Sequence, residues 1–82
     1  MSRKSLAILG STGSIGENTL RVAEAFPERF AVTALAAGRR ADRAAEQARR
    51  FGASLVAVAD EEDAARLRGE LGAGVEVCSG PE

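Results

Sequence analysis

Histidine, tryptophan and tyrosine are absent from the 82 residues, and Cys78 is the only cysteine. Without histidine there is no Ser/His or Cys/His nucleophile pair, and a single thiol allows neither an intrachain disulfide nor a zinc cluster. Chemistry on this chain can therefore only be that of a bound cofactor. An excess of one charge is also missing: 11 Lys and Arg face 12 Asp and Glu, for a net charge of -1. No basic stripe interleaved with aromatic side chains is found, which argues against nucleic acid as a partner. No apolar run approaches the roughly 20 residues of a bilayer-spanning helix, and Met1-Ser2-Arg3-Lys4 leads straight into a strand. The expectation is a cytoplasmic protein with no membrane partner.

Hydrophobic residues make up 45% of the chain and charged residues 28%, proportions ordinary for a globular protein and unlike those of a disordered one. A chain of this length buries only about 60–65% of its unfolded surface, so one marginally stable domain is the upper limit.

Hydrophobic periodicity divides the chain into seven elements. Ser5 to Leu9 is a short apolar run closed by Gly10, read as a strand buried on both faces of a parallel sheet. From Ile15 the period becomes helical, with Ile15, Thr19, Val22 and Phe26 on the predicted inner face and Pro27 at the exit. Phe30 to Ala37 reads as a second strand that stops at Gly38. Asp42 can cap a second helix with Ala44, Ala45, Ala48 and Phe51 inside, Glu46 and Arg50 paired outside, and Gly52 as its stop. Ser54 to Ala59 repeats the strand pattern, Asp60 to Leu71 forms a helix with Ala64, Leu67 and Leu71 on one stripe, and Val75 to Val77 begins a fourth strand. The order βαβαβαβ implies α/β architecture, a Rossmann-like doubly wound parallel sheet.

Gly10-Ser11-Thr12-Gly13-Ser14-Ile15-Gly16 stands between the first strand and the first helix, where such a sheet binds phosphate. A side chain at Gly13 would hold a pyrophosphate away from the backbone amides and the positive end of the helix dipole, and Gly16 lets the helix pack closely. Gly13 and Gly16 match the last two glycines of the dinucleotide motif, whereas Ser11 replaces the first. No Gly-Lys-Ser/Thr follows, so a triphosphate-binding loop is excluded. The alternative is purely structural: glycines serve a tight turn, and Ser14 with Glu17 reads as a capping box. Glu17 also puts a negative charge in the first turn, where it competes with an incoming phosphate.

NAD-binding folds usually end the second strand in an acidic residue that accepts from the adenosine ribose. Here that place holds Gly38-Arg39-Arg40, two guanidinium groups suited to clasping a 2′-phosphate, so NADPH is expected over NADH. The plainer reading is that both arginines answer nearby carboxylates such as Asp42.

Leu6-Ala7-Ile8-Leu9-Gly10-Ser11-Thr12-Gly13-Ser14-Ile15-Gly16, followed by Thr19-Leu20, Pro27-Glu28 and Ala37-Gly38-Arg39, resembles the start of the 1-deoxy-D-xylulose-5-phosphate reductoisomerase family. The likeness is clearest from Leu6 to Phe51 and continues more loosely to Gly80. It implies that Thr12, Gly13, Ser14 and Ile15 contact the cofactor pyrophosphate and its surroundings, and that Gly38, Arg39 and Arg40 surround the 2′-phosphate. The family commonly has asparagine where Arg40 stands. The resemblance further implies a homodimeric enzyme that rearranges 1-deoxy-D-xylulose 5-phosphate and reduces the product with NADPH, using Mg²⁺ or Mn²⁺. Residues 1–82 are then an incomplete N-terminal NADPH-binding domain, a fragment without catalytic residues, metal ligands or the site for the sugar phosphate.

Two other functions remain compatible with the residues. Another NADP-dependent reductase, such as one like aspartate-semialdehyde dehydrogenase, would need a catalytic cysteine, for which Cys78 lies early. A stand-alone NADPH-sensing module would have to tolerate an unpaired edge at the fourth strand. A truncated remnant with no stable fold is the third possibility.

Overall fold

A computed structural model describes residues 3–80. The elements are β1 (Lys4–Leu9), α1 (Ser14–Ala25), β2 (Phe30–Gly38), α2 (Ala41–Phe51), β3 (Leu55–Val58), α3 (Glu61–Leu71) and β4 (Glu76–Ser79). All strands are parallel and lie in the order β1-β2-β3-β4. The Rossmann-like α/β arrangement and the βαβαβαβ order are those expected from the sequence.

The direction of winding has a consequence. Right-handed crossovers that all step the same way across a sheet put every helix on one face. Burial alternates accordingly: Ile8, Val32, Leu35, Ala37, Val56, Val58 and Val77 are buried, whereas Ala7, Leu9, Leu55 and Cys78 are exposed. The reading of the first strand as buried on both faces is therefore corrected: Leu9 is 84% exposed. The reversal of direction that makes a sheet doubly wound does not occur among the described residues, so these four strands form one wing and β1 is its edge.

Val32 and Leu35 stand three residues apart yet are both buried. The β1–β2 register steps from Leu6↔Val32 to Ala7↔Ala34, and the extra residue, Thr33, resets the alternation as a bulge does. Its hydroxyl donates to the Leu6 carbonyl at 3.3 Å.

In α1 the inner stripe is Gly16, Leu20 and Ala23, not the predicted Ile15, Thr19, Val22 and Phe26. Ile15 is 83% exposed, and Val22 and Phe26 also face outward. Close approach at Gly16 decides which face goes down, and it rotates the larger apolar residues out of the core. Helix α2 is buried through Ala41, Ala44, Ala45 and Ala48, with Phe51 half-buried, and ends at Gly52 in the left-handed conformation, φ 68°. Such a C-terminal glycine has no Cβ to strain. Asp42 is not its cap: Arg40 holds that position without a side-chain hydrogen bond. The expected Glu46–Arg50 pair is also absent, because Arg50 reaches Glu24 on α1 and Glu46 lies beside Arg43 at 3.7 Å. Helix α3 keeps its predicted stripe, with Ala64 and Leu67 fully buried, and Asp60 caps it by accepting from the Glu62 amide at 3.0 Å.

Candidate functional site

Parallel pairing of Leu9 with Ala36 brings the ends of β1 and β2 to the same edge of the sheet. The glycine turn and the arginine loop leave from this edge, where open α/β sheets bind ligands. Gly10 turns the chain out of β1 at φ 69°, a conformation that favours glycine. The amides of Gly10 and Ser11 both donate to the Ala36 carbonyl, at 2.7 and 3.0 Å, which fastens the turn to β2. Gly13 then donates to the Gly10 carbonyl at 3.0 Å, and the first bond of α1 runs from the Glu17 amide to the Gly13 carbonyl at 2.8 Å.

The two later glycines have different reasons. A Cβ on Gly16 would lie 2.2 Å from the Gly10 oxygen and 2.8 Å from the Ser11 Cα, so the fold itself demands glycine there. The contact is with the turn's own backbone rather than with the strands. At Gly13, φ is -83° and the nearest atom to a Cβ would be 3.5 Å away. The fold has room for a Cβ at that point, so the turn's own packing does not require glycine there as it does at Gly16.

Gly13 is the N-cap of α1, and no side chain caps the helix. The capping-box reading of Ser14 and Glu17 is therefore not realised: Ser14 is the first helical residue, and the Glu17 carboxylate turns to Arg43. The amides of Ser14, Ile15 and Gly16 precede the first intrahelical bond and have no acceptor within the helix. They form an anion-attracting end, and the ion pair with Arg43 offsets the charge that Glu17 would otherwise bring to it. Thr12 is half-buried beside this end, and Ser14 and Ile15 are exposed. The Ile15 carbonyl accepts from the Thr19 hydroxyl at 2.9 Å.

Gly38 leaves β2 at φ 63°, and Arg39 and Arg40 follow, both exposed. The Arg40 amide bonds the Ala37 carbonyl at 3.3 Å, and the Ala59 amide bonds the Gly38 carbonyl at 2.9 Å. Asp42 pairs with Arg66 of α3 at 3.2 Å, not with either loop arginine. Among the described residues, no carboxylate lies within ion-pair distance of Arg39 or Arg40. The plainer reading of these arginines, as partners of nearby acids, does not hold in this structure. A cleft bordered by Arg39, Arg40, Asp42, Asp63 and Arg66 opens beside them.

Three participants were assigned no role at the site from the sequence. Ser11 is fully buried under the turn, Gln47 of α2 donates to the Ser11 carbonyl at 2.9 Å, and Arg43 binds Glu17. The spacing held a signal for one of them: Gln47 falls on the same helical face as Ala44, Ala48 and Phe51, and a lone amide on an apolar stripe needs a buried partner. Among the described residues, no three His, Cys, Asp or Glu side chains gather as a metal site, and no helix is long and apolar enough to cross a membrane.

Comparison with known proteins agrees with this geometry. The family model for 1-deoxy-D-xylulose 5-phosphate reductoisomerase matches residues 6–82. The reductoisomerase of Anaeromyxobacter sp. strain K is 54% identical over 77 residues, 94% of this chain and 20% of the relative. That of Symbiobacterium thermophilum is 56% identical over 69 residues, 84% of this chain and 18% of the relative. Among solved structures, the Zymomonas mobilis enzyme in complex with NADPH superposes with a TM-score of 0.87 at 35% identity, over 96% of this chain and 21% of that one. A reductoisomerase complex with NADPH, fosmidomycin and magnesium gives 0.84 at 32% identity, over 95% of this chain and 20% of that one. The chain thus spans about a fifth of the length of the curated relatives it matches. With the glycine turn, the strand order and the family model all in agreement, this chain belongs to the 1-deoxy-D-xylulose 5-phosphate reductoisomerase family.

Proposed function

We propose that this chain binds NADPH at the C-terminal edge of its sheet, as the N-terminal cofactor-binding part of a reductoisomerase. The observation that carries the reading is the uncapped start of α1 beside a loop whose two arginines have no carboxylate partner among the described residues. Gly13 leaves room for the pyrophosphate, the amides of Ser14 and Ile15 donate to it, and Thr12 lines the approach. Gly38 opens the turn that presents Arg39 and Arg40 to the 2′-phosphate, where their forked donors suit a phosphate better than a ribose hydroxyl. The residues present fit this cofactor. They leave no acidic side chain at the end of β2 to favour NADH.

The enzyme's reaction is the rearrangement of 1-deoxy-D-xylulose 5-phosphate and reduction of the resulting aldehyde to 2-C-methyl-D-erythritol 4-phosphate, for isoprenoid synthesis by the non-mevalonate route. NADPH supplies the reducing hydride when bound. The residues of this chain bind and orient it, and none is assigned to the rearrangement, the sugar phosphate or the divalent metal, Mg²⁺ or Mn²⁺. A homodimeric, cytoplasmic enzyme accompanies this reading.

Titration of the chain with NADPH and with NADH tests it, following cofactor fluorescence and thermal unfolding by circular dichroism. NADPH at about 100 times its Kd stabilises the fold by roughly 2.7 kcal/mol, NADH does so far less, and Arg39→Glu removes the difference. A folded chain that prefers NADH, or that binds neither, overturns the assignment.

A further inference from the structure

Gln47 is a polar side chain turned inward from a helix otherwise buried through alanines, and it is 7% exposed. Its Nε2 reaches the Ser11 carbonyl at 2.9 Å. The Ser11 amide is held from the other side by the Ala36 carbonyl at 3.0 Å. The Ser11 backbone is thus held by β2 through its N–H and by α2 through its carbonyl, two residues before Gly13. An apolar residue of the same length could fill that space without bringing an amide into the core. What the amide adds is a donor to the turn.

Helix α2 begins at Ala41, directly after Arg39 and Arg40. A bond from α2 to the glycine turn therefore sets the spacing between the two segments that meet phosphate. We infer that Gln47 is a positioning residue for the dinucleotide: by holding the Ser11 carbonyl it fixes the α1 amides at the distance from the arginine loop that the pyrophosphate and the 2′-phosphate of one NADP molecule require. This rests on the NADPH reading above. It assigns to Gln47 no contact with the cofactor, and its effect falls on ligands that must span both segments.

Two ligands separate this role from a general stabilising one. NADP⁺ spans the turn and the arginine loop, whereas adenosine 2′-monophosphate needs only the loop. Both are titrated into the chain and into Gln47→Met, with binding followed by amide chemical shifts of residues 10–16 and 38–41. The variant keeps shape and loses the donor, so its NADP⁺ affinity falls about tenfold, the scale of one lost hydrogen bond, while adenosine 2′-monophosphate binds as before. Gln47→Glu supplies a second readout. Its carboxyl donates only while protonated, so its NADP⁺ affinity relative to the parent chain recovers as pH falls.

Equal weakening of both ligands, or of neither, overturns the positioning role, as does failure of both variants to fold. If the unaltered chain is folded by its amide spectrum and binds neither ligand, the cofactor reading itself is what fails.

Discussion

Arg43 of α2 donates to the carboxylate of Glu17 in the first turn of α1. A negative charge at the positive end of a helix stabilises the helix but competes with an anionic ligand for the same field. The ion pair turns Glu17 aside and leaves the end of α1 available. Arg43→Leu is therefore expected to weaken NADPH binding about three- to fivefold, within the range of partly exposed charge pairs. Glu17→Gln in the same background restores the affinity, and a double-mutant cycle measured by calorimetry at low salt checks the coupling.

Substitutions at Gly13 and Gly16 are expected to separate ligand binding from folding. Gly16→Ala puts a methyl group against the Gly10 carbonyl and is expected to cost about 2–3 kcal/mol of stability, as overpacking does. Gly13→Ala meets nothing closer than 3.5 Å. It leaves the thermal midpoint near that of the parent chain and weakens NADPH binding about tenfold or more through the displaced pyrophosphate. Thermal melts with and without cofactor read both effects, and a large loss of stability in Gly13→Ala would contradict the ligand-side reason for that glycine.

At the second loop, Arg40→Asn introduces the residue common in the family. Arg39 remains as a forked donor, so preference for NADPH over NADH persists, with affinity lower by about threefold for the lost exposed cation. Repeating both titrations from low to high salt gives a shallower salt dependence for the variant, because one cation fewer faces the phosphate.

The face that α1 buries can be tested by truncation. Leu20 is 4% exposed and Ile15 83%. Leu20→Ala is expected to cost about 2–4 kcal/mol, the range for a buried leucine, whereas Ile15→Ala stays within about 0.5 kcal/mol. Urea unfolding followed by circular dichroism distinguishes this from the opposite ranking, which the apolar spacing of the helix alone would suggest.

Glu61 carries the pH dependence of the far edge of the sheet. Hydrogen bonds from Arg68 and Ser79, together with the Arg68 charge, hold its carboxyl below the ordinary value of 4.5. Arg68 also donates to the Val77 carbonyl at 3.0 and 3.2 Å, so the cluster ties α3 to β4. A carboxyl with a depressed folded-state pKa contributes stability that is fully present above its unfolded value and is lost as pH falls through the folded one. Amide exchange at residues 77–79 should accelerate below pH 4.5 beyond the intrinsic trend. Glu61→Gln should remove most of that acid dependence, and the whole effect is small because these groups are exposed.

Strand and helix order were legible because the short, valine-containing run Ser54 to Ala59 is bounded by Gly52 and Asp60, and the stripe Ala64, Leu67 and Leu71 has a helical period. The glycine turn and Gly38-Arg39-Arg40 were legible because their residue types answer local backbone and charge requirements. The inner face of α1 was not. Ile15, Val22 and Phe26 form a plausible stripe, and only the contact of Gly16 with Gly10 shows that it faces outward. The partners of Glu17, Asp42 and Arg50 were equally hidden, since each lies on a neighbouring helix more than 20 residues away in sequence. Local spacing had suggested a capping box, a helix cap and an i,i+4 pair in their place.

The sequence alone determined the alternation of strands and helices, the location of the glycine turn between β1 and α1 and the cationic character of its neighbour, because each follows from a few adjacent residues. Tertiary structure alone decided that no carboxylate among the described residues pairs with Arg39 or Arg40, that packing requires glycine at position 16 but leaves room for a Cβ at Gly13, and that Gln47 grips the turn at Ser11. Each of these depends on distances between segments that strand pairing and helix packing bring together, and periodicity along a single segment carries no such distance.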